Sequence, residues 1–258
     1  MTARQVVVTG ASSGIGAATV RLFRSRGWSV IGVARRAEKL RALAEETGAH
    51  VIVADLTKPE DVQAMAARVA ELGGATALVN NAGAALGQDR IEESSDDDWR
   101  QMFEINVIAV RNVTAALLPV LRDGAREHGA ASILNVTSTA AYYPYIGGGG
   151  YNAAKYAARA LTAVLRLELG GEPIRVLEVA PGMVQTEEFA LNRFGGDAEK
   201  AAKVYDNVPE PLVAEDIAEA IVHAIELPPH VSNDVVIIKP VAQASIYQVH
   251  RGELSVRD

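Results

Sequence analysis

Short runs rich in β-branched residues alternate with longer amphipathic stretches along the whole chain, and no other property of the sequence restricts its fold as much. Strands are expected at Gln5–Thr9, Ser29–Ala34, His50–Ala54, Ala77–Asn80, Ser132–Val136, Arg175–Ala180 and Val235–Ile238. Helices are expected over Gly14–Arg26, Ala37–Thr47, Pro59–Leu72, Asp98–Arg122, Ala153–Leu169 and Ala214–Glu226, with Pro59 suited to a first helical position. The strands are apolar at successive residues rather than alternate ones, so both faces of their sheet must be covered. The pattern predicts an α/β fold with a doubly wound, parallel, seven-stranded sheet and helices on both faces. No repeat or linker divides the 258 residues, so a single domain is expected over 1–258. The irregular segments Ala84–Asp97, Thr139–Gly150 and Val184–Asn207 all follow strands, where open α/β sheets bind ligands.

Charge and composition remove several classes of function. The formal net charge is −7 and no basic stripe is visible, so a nucleic-acid partner is not expected. There is no cysteine, which excludes disulfides and thiolate chemistry and suits a reducing compartment. His50, His128, His223, His230 and His250 are scattered without metal-ligand spacing, so no metal site is expected. No long apolar run suggests a membrane span, and a strand begins almost at the first residue, leaving no room for a signal peptide. A cytoplasmic location is the expectation.

The turn between the first strand and first helix reads Thr9-Gly10-Ala11-Ser12-Ser13-Gly14-Ile15-Gly16. Gly10 permits a tight turn, Gly14 lets a phosphate approach the backbone, and Gly16 allows the helix to pack closely on the sheet. The helix N-terminus then offers free N–H groups and a positive dipole end to a pyrophosphate, as in Rossmann-type folds. Gly10, Ser12, Ser13, Gly14, Ile15 and Gly16 are thus candidate cofactor contacts. The same run also matches G-x-S-x-G, the nucleophile elbow of serine esterases. That alternative lacks a well-placed histidine, since His223 falls inside an expected helix and His230 precedes the last strand. At the end of the second strand stand Arg35 and Arg36, with no carboxylate to meet ribose hydroxyls. Two guanidiniums there favour a 2′-phosphate, hence NADP(H) in preference to NAD(H).

Tyr151 and Lys155 are four residues apart in an Ala- and Leu-rich helical segment, so they project from one helix face. A phenol with a pKa near 10 is a poor base at neutral pH, and an adjacent ammonium lowers that value. The pair suits proton transfer to or from an alcohol or carbonyl, although Tyr-x-x-x-Lys is also common on solvated helix faces.

Taken in order, the turn Thr9–Gly16, Asp55, Asn80-Asn81-Ala82-Gly83, Asn106, Ser138, Tyr151, Lys155 and Pro181-Gly182 with Thr186 resemble the classical branch of the short-chain dehydrogenase/reductase (SDR) family, over about Gln5–His250. The resemblance implies a catalytic set of Asn106, Ser138, Tyr151 and Lys155. Tyr151 would exchange the substrate proton, Ser138 would bond the substrate oxygen, and Lys155 would lower the phenol pKa and bind the nicotinamide ribose. Asn106 would distort its helix and hold a water in a relay to the lysine. Cofactor contacts are implied for Asp55 and Leu56 near the adenine, for Asn81, Ala82 and Gly83 at the ribose, and for Pro181, Gly182, Val184 and Thr186 near the nicotinamide. The family also implies a homotetramer through the helices around Asp98–Arg122 and Ala153–Leu169, the second rich in alanine.

Within the family, the chain resembles NADP-dependent 3-hydroxy acid dehydrogenases, including serine dehydrogenases. The residues carrying this are Ser138-Thr139-Ala140-Ala141, Tyr143-Pro144-Tyr145, Gly147–Gly150, Glu188-Phe189, Arg193-Phe194, Tyr205, Pro240 and His250-Arg251. The substrate loop would span about 184–207 and a C-terminal tail about 240–258. A small 3-hydroxy acid or serine-like substrate needs a cation for its carboxylate, and Arg193 and Arg251 are the candidates. The segment after Pro181 is more polar and acidic than expected of that group, and the four glycines before Tyr151 suggest a mobile or very open loop. One alternative is a reductase of hydrophobic ketones or aldehydes, with Tyr142, Tyr143, Tyr145 and Phe189 lining the pocket. Another is a non-catalytic NADP(H)-sensing protein, for which a complete proton relay would be unnecessary.

Overall fold

Val6, Val7 and Val8 of the first strand have no exposed surface, so successive residues feed two separate cores on opposite faces of one sheet. The computed structural model describes residues 4–186 and 188–256. In chain order the elements are β1 (Gln5–Thr9), α1 (Gly14–Ser25), β2 (Ser29–Ala34), α2 (Ala37–Thr47), β3 (His50–Val53), α3 (Pro59–Glu71) and β4 (Ala77–Asn80). Next come α4 (Asp96–Phe103), α5 (Ala109–His128), β5 (Ala131–Val136), α6 (Gly149–Glu168) and β6 (Ile174–Pro181). The last are α7 (Phe189–Arg193), α8 (Ala198–Lys203), α9 (Ala214–Glu226) and β7 (Val235–Ile238). All pairings are parallel in the order β3-β2-β1-β4-β5-β6-β7, a doubly wound Rossmann-type sheet in a single domain.

One core joins Val6 and Val8 to Val20 and Phe23 of α1 and to Ile217 and Ile221 of α9. The other joins Val7 and Ile133 to Met65 of α3 and to Val113, Leu117 and Leu121 of α5. Leu117 has no exposed surface. Leu117→Ala is expected to lower the unfolding free energy by about 2–5 kcal/mol, the transfer loss plus the cavity, as read by urea denaturation.

The long helix expected over Asp98–Arg122 is wider and interrupted. It starts at Asp96 because the Ser95 side chain accepts a bond from the Asp97 amide and three aspartates fill the positively polarised first turn. A π-helical turn at Glu104–Ile108 separates α4 from α5, and a left-handed Gly129 ends the helix after His128. An 18-residue window within the continuous stretch Asp96–His128 has mean hydropathy 1.4, so by length and composition alone it is apolar enough to cross a membrane. In the fold its Val113, Leu117 and Leu121 are buried against the sheet.

The four glycines before Tyr151 do not form the open loop expected. A Cβ on Gly147 would overlap the Gln88 carbonyl, and one on Gly148 would overlap the Asn152 side chain and stand 2.6 Å from the Tyr145 ring. The run is glycine because backbone is packed against side chains there, and α6 begins inside it at Gly149. The segment expected to be irregular over Val184–Asn207 contains α7 and α8. A C-terminal stretch fastens it: the Gly252 amide donates to Asn207 O at 2.7 Å, and Arg251 donates to the carbonyls of Asp206 and Val204.

Candidate active site

The site forms where β1, β2, β4, β5 and β6 end. At β1, Gly10 has φ +68° and Gly14 φ +50°, and a Cβ on Gly16 would overlap the Gly10 carbonyl. The Thr9 hydroxyl accepts from the amides of Asn81 and Ala82, both at 3.0 Å, and Asn81 Nδ2 donates back to Thr9 O at 3.0 Å. The turns after β1 and β4 are thereby locked together. Thr186 lies over this turn, its methyl 3.4 Å from where a Cβ on Gly14 would stand.

Ser13 precedes α1 without capping it, so its hydroxyl is free for other partners. Arg36 takes it, donating to Ser13 Oγ at 2.7 Å, to Ser12 Oγ at 2.8 and 3.1 Å, and to Glu188 at 2.6 Å. Lys39 also pairs with Glu188. Partial burial alone would push the Glu188 carboxyl up, but bonds from Lys39, Ser13 and Arg36 bring it down to about 2. Two cations and the Ser13 hydroxyl thus already converge on one anionic group. Sequence reading missed Lys39, which stands one helical turn after Arg36. Arg35 is exposed; burial would raise the Asp55 carboxyl, but bonds from Thr57, with smaller help from the charges of Arg35 and Lys58, hold it below the usual carboxylate range. Leu56 is 5% exposed and its side chain belongs to the core under α3, which leaves only its backbone for a ligand. Ser12 Oγ faces a guanidinium and not a histidine; His223 lies within α9 and His250 Nε2 meets Glu253 O.

Tyr151 and Lys155 lie on the first turns of α6 and are 8% and 6% exposed, so they are not on a solvated face. Lys155 Nζ is 5.8 Å from the centre of the Tyr151 ring and donates to Val136 O at 3.2 Å. Ser138 follows β5, bonds Tyr151, and is held by the Ala140 amide at 3.1 Å and Pro181 O at 3.4 Å. Asn106 lies in the π-helical turn because its Nδ2 donates to Met102 O, four residues back, and to Ala84 O, both at 2.8 Å. Its Oδ1 is buried and has no partner. A Cβ on Gly83 would stand 2.7 Å from that oxygen and 3.4 Å from Lys155 Nζ, so glycine keeps the gap between them open. Pro181 and Gly182 end β6; Gly182 N donates to Ile238 O at 2.7 Å, and Val184 bridges Leu212.

The electrostatics depart from the expectation for Tyr151. Burial pushes its phenol above the ordinary value, Tyr145 adds to this, and Ser138 and Arg193 only partly oppose it. Burial lowers Lys155 to about 8, against which the Glu178 carboxylate raises it. Glu178 also escaped sequence reading, though a single carboxylate inside the apolar run Val176–Ala180 is a visible signal.

Among the described residues of the substrate segment, Arg193 is the cation that reaches Tyr151. Its guanidinium lies 5.4 Å from the Tyr145 ring centre and 5.9 Å from that of Tyr151, Nε donates to Gly87 O at 3.0 Å, and Nη2 is buried without a partner. Arg251 instead caps carbonyls at the far end of that segment. Of the aromatic candidates, Phe189 meets Tyr151 edge-on at 6.0 Å and Tyr145 neighbours Arg193. Tyr142 turns away to donate to Glu178, and Tyr143 is half exposed.

Residues 4–193 match the model of the short chain dehydrogenase family. The chain is 46% identical over 242 residues to the uncharacterized oxidoreductase Rv0484c of Mycobacterium tuberculosis, covering 94% of this chain and 93% of that one. It is 39% identical over 250 residues to the NADP-dependent 3-hydroxy acid dehydrogenase YdfG of Salmonella typhimurium, covering 95% and 99%. A serine dehydrogenase solved in a closed form with NADP+ superposes with a TM-score of 0.87 at 35% identity, covering 98% of this chain and all of the other. The chain therefore belongs to the short-chain dehydrogenase family of oxidoreductases.

Proposed function

We propose that the chain is an NADP(H)-dependent enzyme that interconverts a hydroxyl and a carbonyl, with Tyr151 as acid and base, and that its substrate is a small 3-hydroxy acid or serine-like compound. The observation that carries the reading is the buried pair Tyr151 and Lys155, with Ser138 against Tyr151 and an unpartnered Asn106 oxygen close by. NADP(H) is supported by the anion cradle of Ser12, Ser13, Arg36 and Lys39, which already takes a carboxylate, and by the cofactor named for the two relatives. Gly10, Gly14, Ile15 and Gly16 would receive the pyrophosphate, and Arg35 adds charge beside the cradle. Asp55, Leu56, Asn81, Ala82 and Gly83 would hold the adenosine half, and Pro181, Gly182, Val184 and Thr186 the nicotinamide half. When bound, the cofactor supplies the hydride acceptor.

In oxidation, the Tyr151 oxygen takes the hydroxyl proton while the Ser138 hydroxyl donates to the substrate oxygen and stabilises its developing charge. The Lys155 ammonium offsets the phenolate. The chain alone holds the phenol high, so the positive charge of an oxidised nicotinamide is a further requirement for ionising it. Asn106 Oδ1, facing the gap beside Lys155, would accept from a water that returns protons to the lysine. The substrate segment 184–207 and the tail 240–258 would complete the single domain over the site. A cytoplasmic homotetramer remains the expectation, supported by exposed Ile108 on the interrupted long helix and by Val164 and Leu167 on α6.

The carboxylate of a 3-hydroxy acid would pair with Arg193, whose buried Nη2 lacks a partner beside Tyr151. Nicotinamide absorbance with NADP+ and NAD+ over L-serine, 3-hydroxypropionate, 3-hydroxyisobutyrate and neutral secondary alcohols tests the reading. Turnover of the acids with NADP+ is expected. Arg193→Leu should raise KM for acids about 10- to 100-fold, the loss of one charged hydrogen bond, and leave neutral alcohols unaffected. Turnover of neutral substrates alone would replace the acid with a hydrophobic ketone or alcohol. Tight NADPH binding without any turnover would favour a sensor.

A further inference from the structure

Glu178 is a carboxylate 2% exposed in the middle of a parallel strand, where an isolated charge is expensive. It extends a polar row across the sheet: Asn80 Nδ2 donates to Asn135 Oδ1 at 2.9 Å, and Asn135 is in register with Glu178. Thr137 Oγ1 and Tyr142 OH both donate to one oxygen of Glu178, at 2.5 and 2.9 Å. Two neutral donors do not balance a charge, and among the described residues no cation pairs with it within 4.0 Å. The other charges nearby are engaged elsewhere. On α6, Arg159 stacks on the Tyr142 ring at 4.0 Å, and Arg166 donates to Val176 O and faces Asp234 at 3.7 Å. On the substrate side, Tyr145 and Arg193 face Tyr151. That leaves Lys155, equally buried, with its Nζ on the carbonyl of Val136, the residue just before Thr137.

We propose that Glu178 is a positioning residue of the reaction, a buried counter-charge that keeps the Lys155 ammonium charged and in place beside Tyr151. This rests on the proposed role of Tyr151 and Lys155. Neither charge is stable alone at such depth; each is held at one of the consecutive residues Val136 and Thr137, and the ammonium stays 5.8 Å from the phenol ring.

The test is Glu178→Gln, which keeps the volume and the oxygen that accepts from Thr137 and Tyr142 but removes the charge. The Lys155 ammonium, already lowered to about 8 by burial, loses the group that raises it and must deprotonate at lower pH. The alkaline limb of the kcat/KM profile for oxidation with NADP+ should therefore move down by about one pH unit, a tenfold change in the charged fraction. Glu178→Asp, which keeps the charge, should retain the wild-type limb more closely than Glu178→Gln, and so should Tyr142→Phe, which removes only one hydrogen bond. A merely structural role would depress the rate without moving the limb. The Lys155 titration read by NMR of 13C-labelled lysine in the chain itself should shift likewise, whether or not the assayed alcohols are substrates. Unchanged Lys155 titration in Glu178→Gln, or an equal shift in Tyr142→Phe, would overturn the proposal. A shifted Lys155 titration in a chain that turns over no alcohol would keep the electrostatic pair and discard the catalytic reading it rests on.

Discussion

Tyr151→Phe is expected to lower kcat for alcohol oxidation by on the order of 10²- to 10⁴-fold, the usual worth of a positioned acid–base group, with NADPH affinity largely retained. The substitution removes one oxygen and leaves the ring, so the edge contact with Phe189 at 6.0 Å and the stacking under Arg193 at 5.9 Å survive. Lys155 keeps its bond to Val136 O, and the ribose contact proposed for it is undisturbed. Steady-state absorbance and NADPH fluorescence titration on the same preparations separate the two effects. The wild-type pH profile has a definite sign. Burial holds the phenol above its ordinary value and Lys155 near 8, so oxidation should climb as Tyr151 loses its proton only where bound NADP+ brings the phenol below Lys155, and should fall once Lys155 loses its own. A kcat loss below about tenfold in Tyr151→Phe would mean that another group carries the proton, because so small an effect is within what repacking alone can do.

Removing the cations of the anion cradle should have the second largest effect, and on binding rather than chemistry. Arg36→Ala with Lys39→Ala is expected to raise Kd for NADP+ by about 10- to 100-fold while Kd for NAD+ stays level, because only NADP+ carries the phosphate that needs two charge-assisted bonds. Both side chains are nearly half exposed, where solvent screens their charge and limits the loss. The same change releases Glu188, which now sits on both cations. Isothermal titration with both cofactors reads the result, and an equal loss for NAD+ would point to general collapse of the turn instead of phosphate recognition.

The sheet was legible because each strand is a short apolar run bounded by turn residues. All seven strands begin and end within one residue of their expected limits. What escaped reading depended on contacts distant in sequence. Gly149 and Gly150 read as loop by helix propensity, yet they open α6, because side chains on them would press into Trp99 and Met102. The π-helical turn is invisible to periodicity; only the family resemblance implied that Asn106 distorts its helix, and there its amide takes the Met102 and Ala84 carbonyls. Arg35 and Arg36 looked equivalent as neighbours, but Arg36 reaches the serines and Arg35 acts on Asp55. Lys39 needed the helix phase of α2, and Glu178 needed the register of β5 with β6, to be recognised beside the cluster. The direction of the Tyr151 shift was misread because spacing gives the neighbouring charge but not the depth of burial, and burial is the larger influence.

The ties between the last residues and the substrate segment bear on how specificity is exchanged between relatives. Gly252 and Arg251 grip Asn207, Asp206 and Val204, and the Tyr247 hydroxyl reaches the Pro144 carbonyl beside the residues that precede α6. The segment carrying Arg193 is thus one half of a clasp whose other half lies 45 residues later. A chimera that transplants the segment alone would set a foreign hook into a native eye. Recombination at these positions has to carry both pieces together, so the unit of inheritance for substrate choice is discontinuous in the gene.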